Sequence, residues 1–391
     1  MVEWREKALG DITGYISKGI PPAYTDKDST TAICVLNQKC NKNFDISYED
    51  SRYHDIALRN VPSEKILRTG DVLINSTGEG TAGRVAQIFR IPVPTTIDGH
   101  MIVMRPTDEV DSVYYGYAIK NCQKKIESIA EGSTGQTEIN RRRLKEEVLI
   151  KYPVDKDIQK AIGHFLFGID EKIRNNRKIN DNLLAQAQTL YKQFFPYSVQ
   201  DDLPDGWRIG TVGEIIEIHD SKRIPLSGAD RTKMEKKIYP YYGAASLMDF
   251  VDNYIFDGKY LLLGEDGTVV DDAGYPILQY VWGQFWVNNH AHILTGRLGY
   301  DVESLYMLFK QTPVKSIVTG AVQPKISQAN LRSIQVVIPP EHNLREYNDL
   351  VEPLFSLFRA NEEECKTLTA LRDTLLPKLM SGEIDVSAVQ L

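Results

Sequence analysis

The sequence predicts a duplicated mixed fold: two α/β (α+β) lobes in a pseudo-twofold arrangement, separated by long antiparallel coiled-coil helices. Three observations predict it. The second half of the chain repeats the motifs of the first in the same order, two long stretches carry apolar residues at helical spacing, and short apolar runs in both halves end in glycine-rich turns.

The repeat opens with Trp4-Arg5-x3-Leu9-Gly10-Asp11-Ile12, matched by Trp207-Arg208-x3-Val212-Gly213-Glu214-Ile215, and an Ile-Pro pair follows in each half, Ile20-Pro21 and Ile224-Pro225. Next, Gly70-Asp71-Val72-Leu73-Ile74 leads to Gly78-Glu79-Gly80-Thr81, and Gly258-Lys259-Tyr260-Leu261-Leu262 leads to Gly264-Glu265-Asp266-Gly267-Thr268. Each is an apolar strand-like run that delivers a glycine turn. Ile97-Asp98-Gly99-His100 then pairs with Val287-Asn288-Asn289-His290, and Gln136-x2-Ile139-x4-Leu144 with Gln323-x2-Ile326-x4-Leu331, before closing prolines at Pro153 and Pro340. A period of about 190 residues is far longer than a solenoid unit, so a whole domain is duplicated.

Between and after the lobes lie the two helical stretches. From about Asp157 to Phe195, apolar residues recur at Ile158, Ile162, Phe165, Ile169, Ile173, Leu183, Ala187, Leu190 and Phe194. Spacings of three and four define an amphipathic helix, broken by one polar gap at Asn176 and Asn180. Polar residues on such a stripe can fix coiled-coil register; a solvated turn is the competing reading. A second stripe runs through Leu344, Tyr347, Val351, Leu354, Phe358, Cys365, Leu368, Leu371, Leu375 and Leu379, with Asn361 near the matching gap and Pro353 expected to kink the first turns. Helices of roughly 38 residues would each reach about 57 Å and bury their stripes most simply as an antiparallel pair. Inside the lobes, strands are expected at Asp71–Ile74, Met101–Met104, Leu261–Leu263 and Gln335–Ile338, with helices near Val113–Ala130 and Val302–Ile317.

Composition excludes several classes. The 391 residues are 42% hydrophobic and 25% charged, which is ordinary for a soluble chain with room for two or three cores. No apolar run reaches membrane-span length and the start lacks a signal-peptide core, so a cytoplasmic protein with no membrane partner is expected. Cys34, Cys40, Cys122 and Cys365 show no C-x-x-C spacing, which leaves neither a disulfide framework nor a zinc finger.

The net charge of −7 runs against a protein that binds DNA alone, but the acid is localised. Residues 1–153 carry 21 Lys+Arg and 21 Asp+Glu, and residues 206–340 carry 13 and 14. The connecting segments 154–205 and 341–391 together hold 12 and 18. Near-neutral lobes can present a basic face, with a basic partner needed for tight binding.

Taken together, the W-x4-LGDI-like openings, the G-D-V-L-I strand with its glycine turn, the D-G-H segment, the G-x-x-Q-x-x-I stretch and the terminal Leu375-Leu376-Pro377-Lys378-Leu379-Met380-Ser381-Gly382-Glu383-Ile384 resemble the specificity subunits of type I restriction-modification enzymes along essentially the whole chain. No single motif is specific; their duplicated order is. The resemblance implies a non-catalytic subunit with two target-recognition domains, residues 1–153 and 206–340, each reading half of an interrupted double-stranded DNA target. It implies helical spacers at 154–205 and 341–391 that set the gap and dock methyltransferase subunits, two by expectation, with restriction or translocase subunits as further partners. No cofactor is expected in this chain; S-adenosylmethionine belongs to the methyltransferase subunit.

Sequence readers need side chains that hydrogen-bond base edges, plus phosphate contacts that set register. In lobe one the candidates are Lys18, the turn Ser76, Thr77 and Gly78 with Arg84, and the stretch Thr134, Gln136 and Thr137 leading to Arg141, Arg142 and Arg143. In lobe two they are Lys222, Arg223, Glu265, Gly267, Gln323 and Lys325, with Tyr241 and Tyr242 as stackers. Blander readings compete: an arginine run as a solvated helix end, tyrosines as core. Gly78-Glu79-Gly80-Thr81-Ala82-Gly83 matches a dinucleotide loop only loosely, and Glu235-Lys236-Lys237 reads as a charged loop. His290 and His292 would share one face of a strand, but the sequence nominates no third metal ligand. A stand-alone metal-dependent hydrolase using these histidines, or an assembly scaffold without DNA contacts, are the alternatives. No N-P-P-[FY], G-x-S-x-G or G-x4-G-K-[ST] motif is present.

Overall fold

The computed structural model describes residues 2–131, 137–320 and 322–384, which leaves Thr134 and Gln136 outside the described residues. The chain forms two compact units, Met1–Asn175 with Glu364–Leu391, and Asn176–Glu363.

The first unit holds lobe one. Strands Thr13–Lys18, Met101–Pro106, Val72–Asn75 and Val85–Gln87 lie side by side in that order, all antiparallel. A second sheet orders Thr95–Ile97, Ala32–Leu36, Arg52–Asp55 and Tyr24–Thr25, its first pair parallel. Trp4–Ala8 pairs with Leu149–Pro153 and ties the start of the lobe to its end. The first sheet packs its apolar face against the helix Ser112–Asn121, whose Tyr114, Tyr115 and Tyr117 are fully buried. Asp111 caps that helix through the amides of Val113 and Tyr114, as a residue with a short acceptor side chain does at an N-terminus. The expected helix to Ala130 is interrupted at Cys122 and resumes as Gln123–Ser128.

The second unit repeats the first sheet and varies the second, whose parallel pair lies in the middle of the sheet rather than at its edge. Ile216–Ile218, Ala291–Gly296, Tyr260–Gly264 and Leu278–Val281 form the first sheet. Leu247–Val251, Tyr239–Tyr242, Gln284–Val287 and Phe256–Asp257 form the second, again with one parallel pair. Arg208–Thr211 pairs with Gln335–Ile338. The helix Val302–Phe309 covers the first sheet and is shorter than expected; a separate 3-10 turn occupies Lys315–Ile317.

Both long helices form, Lys156–Phe194 and Glu341–Ser381, the latter continuous through Pro353. In the first unit Ile169 and Ile173 pack on Cys365, while Asp170 receives Arg372 at 2.6 Å and the Tyr117 hydroxyl at 2.7 Å. In the second unit Ala187 and Tyr191 pack on Tyr347, Val351 and Phe355. Rising numbers on one helix meet falling numbers on the other, the antiparallel sense expected. The polar gap is a hydrogen-bonded layer and no turn: Asn361 Nδ2 donates to Asn180 Oδ1 at 2.9 Å, and Asn180 Nδ2 donates to the Phe358 carbonyl and Glu362. A buried amide pair satisfied only in one alignment selects register.

Candidate nucleic-acid interface

In each lobe the same four segments converge at one end of the first sheet: the end of its edge strand, the glycine turn, the D-G-H or N-N-H turn, and the segment before a short helix. Backbone hydrogen bonds hold them. In lobe one Ser76 N–H donates to the His100 carbonyl at 2.8 Å and Ile139 N–H to the Ser76 carbonyl at 2.7 Å. In lobe two Glu265 N–H donates to the His290 carbonyl and Ile326 N–H to the Glu265 carbonyl, both at 2.8 Å. Thr77 bridges Glu138, and Asp266 bridges Lys325. Ser76 is therefore equivalent to Glu265, Thr77 to Asp266, His100 to His290, and Glu138 to Lys325.

The frame needs glycine at particular points. A Cβ on Gly78, at φ +114°, would sit 2.2 Å from Thr81 Oγ1, whereas Gly267, at φ +83°, faces open space. Gly19 is tighter still, since its Cβ would lie 2.0 Å from the Asp98 carbonyl oxygen. That lets the Gly19 amide reach the Met101 carbonyl at 3.1 Å.

Strand register corrects one pairing drawn from sequence. Aligning the Ile-Pro pairs sets Lys222 against Lys18, but Ile16 faces Met104 and Ile218 faces Leu294, so Lys18 is equivalent to Asp220. A 3-10 turn, Asp220–Lys222, adds two residues before Ile224. Arg223 then replaces the Gly19 amide: its Nη1 donates to the carbonyl of Ala291, the residue equivalent to Met101, at 2.8 Å.

The two centres differ in charge. In lobe one the half-exposed Lys18 pairs with Glu138, and the buried Ser76 hydroxyl has no hydrogen-bond partner among the described residues. In lobe two His292, 0% exposed, sets Nδ1 2.6 Å from Asp220 Oδ2 and Nε2 2.8 Å from the Ile326 carbonyl. A carbonyl only accepts, so Nε2 carries a proton. Asp220 also accepts from Gln328 at 2.6 Å and the Ile293 amide at 3.0 Å. Glu265 takes Arg223 at 2.6 Å and Lys325 at 3.2 Å. Burial is the largest single influence and pushes both carboxyls upward, but His292, the Ile293 amide and Arg223 at Asp220, and Arg223, His292 and Lys325 at Glu265, together outweigh it and hold both below their ordinary range.

Asp220, Glu265 and His292 present ligand atoms within 4.8 Å of one another, acidic neighbours the sequence did not nominate for His292. His290 does not belong to that group; it precedes the strand and pairs with Asp266. The cluster's acceptors already face Arg223 and Lys325, so its positive charge comes from the chain itself.

The remaining candidates scatter around these centres. Arg84 is exposed and donates to the Gly80 carbonyl. Arg142 pairs with Glu146, and Arg143 with Glu147 and Glu131, along the helix Arg141–Glu147 capped by Asn140; Arg141 is exposed. Thr137, partly buried, precedes the bridge residue Glu138. Lys222, Gln323 and Lys325 are exposed. Tyr241 is buried with Arg231 over its ring at 4.9 Å, and Tyr242 packs edge-on to Phe285 inside the second sheet, so both serve packing. Sequence reasoning treated the D-G-H segment only as a repeat landmark and weighed His290 of the N-N-H segment as a metal ligand, although their recurrence at one place in both halves marked them.

Two mixed lobes, each gathering polar loops at one sheet end and joined to long helices, define a duplicated recognition protein. The chain matches the Type I restriction modification DNA specificity domain over residues 1–185 and 204–369 and belongs to that family, as a specificity subunit of type I restriction-modification systems rather than a catalytic one. It is similar to the MjaIX specificity subunit of Methanocaldococcus jannaschii, 24% identical over 98% of this chain and 94% of that protein. It is 29% identical to the putative specificity subunit S.HindORF215P of Haemophilus influenzae over 47% of this chain and 42% of that one. The crystal structure of the type I S subunit from M. genitalium superposes with a TM-score of 0.59 at 19% identity, covering 97% of this chain and 96% of that one. None of the described helices is long and apolar enough to cross a membrane.

Proposed function

We propose that residues 1–153 and 206–340 each read one half of an interrupted DNA target, with 154–205 and 341–391 as spacers that set the gap and dock two methyltransferase subunits in the cytoplasm. The carrying observation is the duplicated convergence of polar loops at the same sheet end, built from different side chains in the two lobes. One frame with two sets of side chains is what two different half-sites require.

In lobe one the reading set comprises Lys18, Thr77, Arg84, Thr134, Gln136, Thr137 and Arg141, with Ser76 and Gly78 shaping the turn. In lobe two Lys222 and Gln323 are exposed and Lys325 is half-exposed beside Glu265, while Arg223 and Glu265 hold the frame and Gly267 turns it. The acidic helices suit docking to a basic partner surface, which would supply phosphate contacts that near-neutral lobes lack. S-adenosylmethionine is used by the methyltransferase subunit, and a restriction subunit joins the same complex.

Co-expression with the methyltransferase subunit encoded beside it, in a methylation-free host followed by sequencing for modified bases, tests this. A two-part interrupted motif that disappears without this chain is expected. A stable complex that binds S-adenosylmethionine yet modifies nothing overturns the reading in favour of a scaffold.

A further inference from the structure

His100 and His290 occupy the same position in the two lobes and are built in the same way. Each follows an Asx turn, with the His100 amide donating to Asp98 Oδ1 at 2.9 Å and the His290 amide to Asn288 Oδ1 at 2.8 Å. Each gives its backbone carbonyl to the residue that starts the glycine turn. Each engages Nδ1 with the next residue of that turn, Thr77 Oγ1 at 2.8 Å in lobe one and Asp266 Oδ1 in lobe two. His100 is exposed and the His290 side chain is 43% exposed. Neither Nε2 makes a hydrogen bond among the described residues. A ring pinned at one nitrogen, with the other facing solvent, is oriented for a contact the chain itself does not make.

We infer that His100 and His290 are matched base-edge contacts, one per lobe, each presenting Nε2 to its own half-site. The inference rests on the DNA-reading function proposed above and names residues within that surface.

The two partners set different chemistry. A carboxylate only accepts, so Asp266 holds a proton on Nδ1 of His290, and in the neutral form of the ring Nε2 is left as an acceptor. The complementary groups on DNA are exocyclic amines, N6 of adenine or N4 of cytosine. The Asp266 carboxylate against the ring repels phosphate, which favours the base edge over the backbone. Thr77 can donate or accept, so His100 keeps both tautomers and lobe one lacks this constraint.

The test uses the full chain with its methyltransferase partner and reads the modified motif by sequencing, after thermal melting confirms that each variant folds as the parent does. His290→Ala should relax one position of the second half-site and lower modification at the parental motif about tenfold, leaving the first half-site unchanged. His100→Ala should do the converse. Asp266→Asn frees the tautomer and should broaden the same position as His290→Ala toward guanine or thymine. His290→Gln, which keeps a polar group of similar reach, covers the case in which the alanine variant fails to fold, and should relax the same position. Uniform weakening with an unchanged motif would make these residues phosphate contacts and overturn the inference. So would parental behaviour of all variants while the parent reads a two-part motif. Absence of any motif in the parent defeats the DNA-reading function itself, so the two failures are distinguishable.

Discussion

Lobe one ends its edge strand with Lys18, a half-exposed cation facing Glu138, whereas lobe two places Asp220 at the equivalent position beneath His292, Arg223 and Gln328. The bridge residue inverts as well, from Glu138 to Lys325. One backbone frame thus carries an open, weakly paired centre in one copy and a closed ionic network in the other. Duplication preserved the hydrogen-bonded scaffold and left the side chains free to diverge, which is how one fold serves two recognition tasks.

The contrast predicts unequal stability effects. Asp220→Ala strands the buried His292 Nδ1 and the Gln328 amide that Asp220 accepts from, and should cost roughly 3–5 kcal/mol. Lys18→Ala breaks a solvent-exposed pair and should cost about 0–1 kcal/mol. Urea unfolding followed by hydrogen exchange in each lobe reads both values, and equal costs would break the comparison.

The glycine turns differ next. Gly78→Ala combines a left-handed backbone with a contact against Thr81 Oγ1 and should cost about 2 kcal/mol. Gly267→Ala meets open space and should cost about 1 kcal/mol, the backbone term alone. Thermal melts of the two variants sharpen how much tighter the first turn is.

Acid should separate the lobes further. The carboxyls of Asp220 and Glu265 are held below their ordinary values, so the stability they contribute is present above the unfolded range of about 3.9–4.3 and drains as pH falls through their lowered folded values. Burial instead raises Asp98 in lobe one, so its protonation favours the folded state as pH falls. Hydrogen-exchange protection at Leu261–Gly264, relative to the intrinsic rate at each pH, should therefore fall more than at Val72–Asn75 between pH 7 and about 3.5. Equal loss of protection would contradict the assignment of the network to lobe two.

What the sequence made legible follows from the range of the interactions involved. The first long helix lies within a residue of its expected limits, and the second starts three residues before its apolar stripe and ends two beyond it, because a 3.6-residue stripe is a local pattern; Gln335–Ile338 forms the expected strand for the same reason. The Asn180 and Asn361 layer was readable as a shared gap. The equivalence of Lys18 and Asp220 was not, because a 3-10 turn hides a two-residue insertion behind a matching Ile-Pro pair. The partners of His292, namely Asp220 and the Ile326 carbonyl, are distant in sequence and meet only across the folded sheet end. The helix that ends at Phe309 stops ahead of Pro313, a local signal that the expected span to Ile317 ran through.

The central claim is that each lobe reads its own half-site from a shared frame. Its most direct test is the affinity of the assembled methyltransferase complex for duplexes that keep only one half-site intact, measured for Lys18→Ala and Lys325→Ala. Lys18→Ala should weaken binding about tenfold on duplexes retaining the first half-site and leave the second untouched, with Lys325→Ala giving the reverse. If either substitution weakens both duplexes equally, the lobes do not read independently and the account fails.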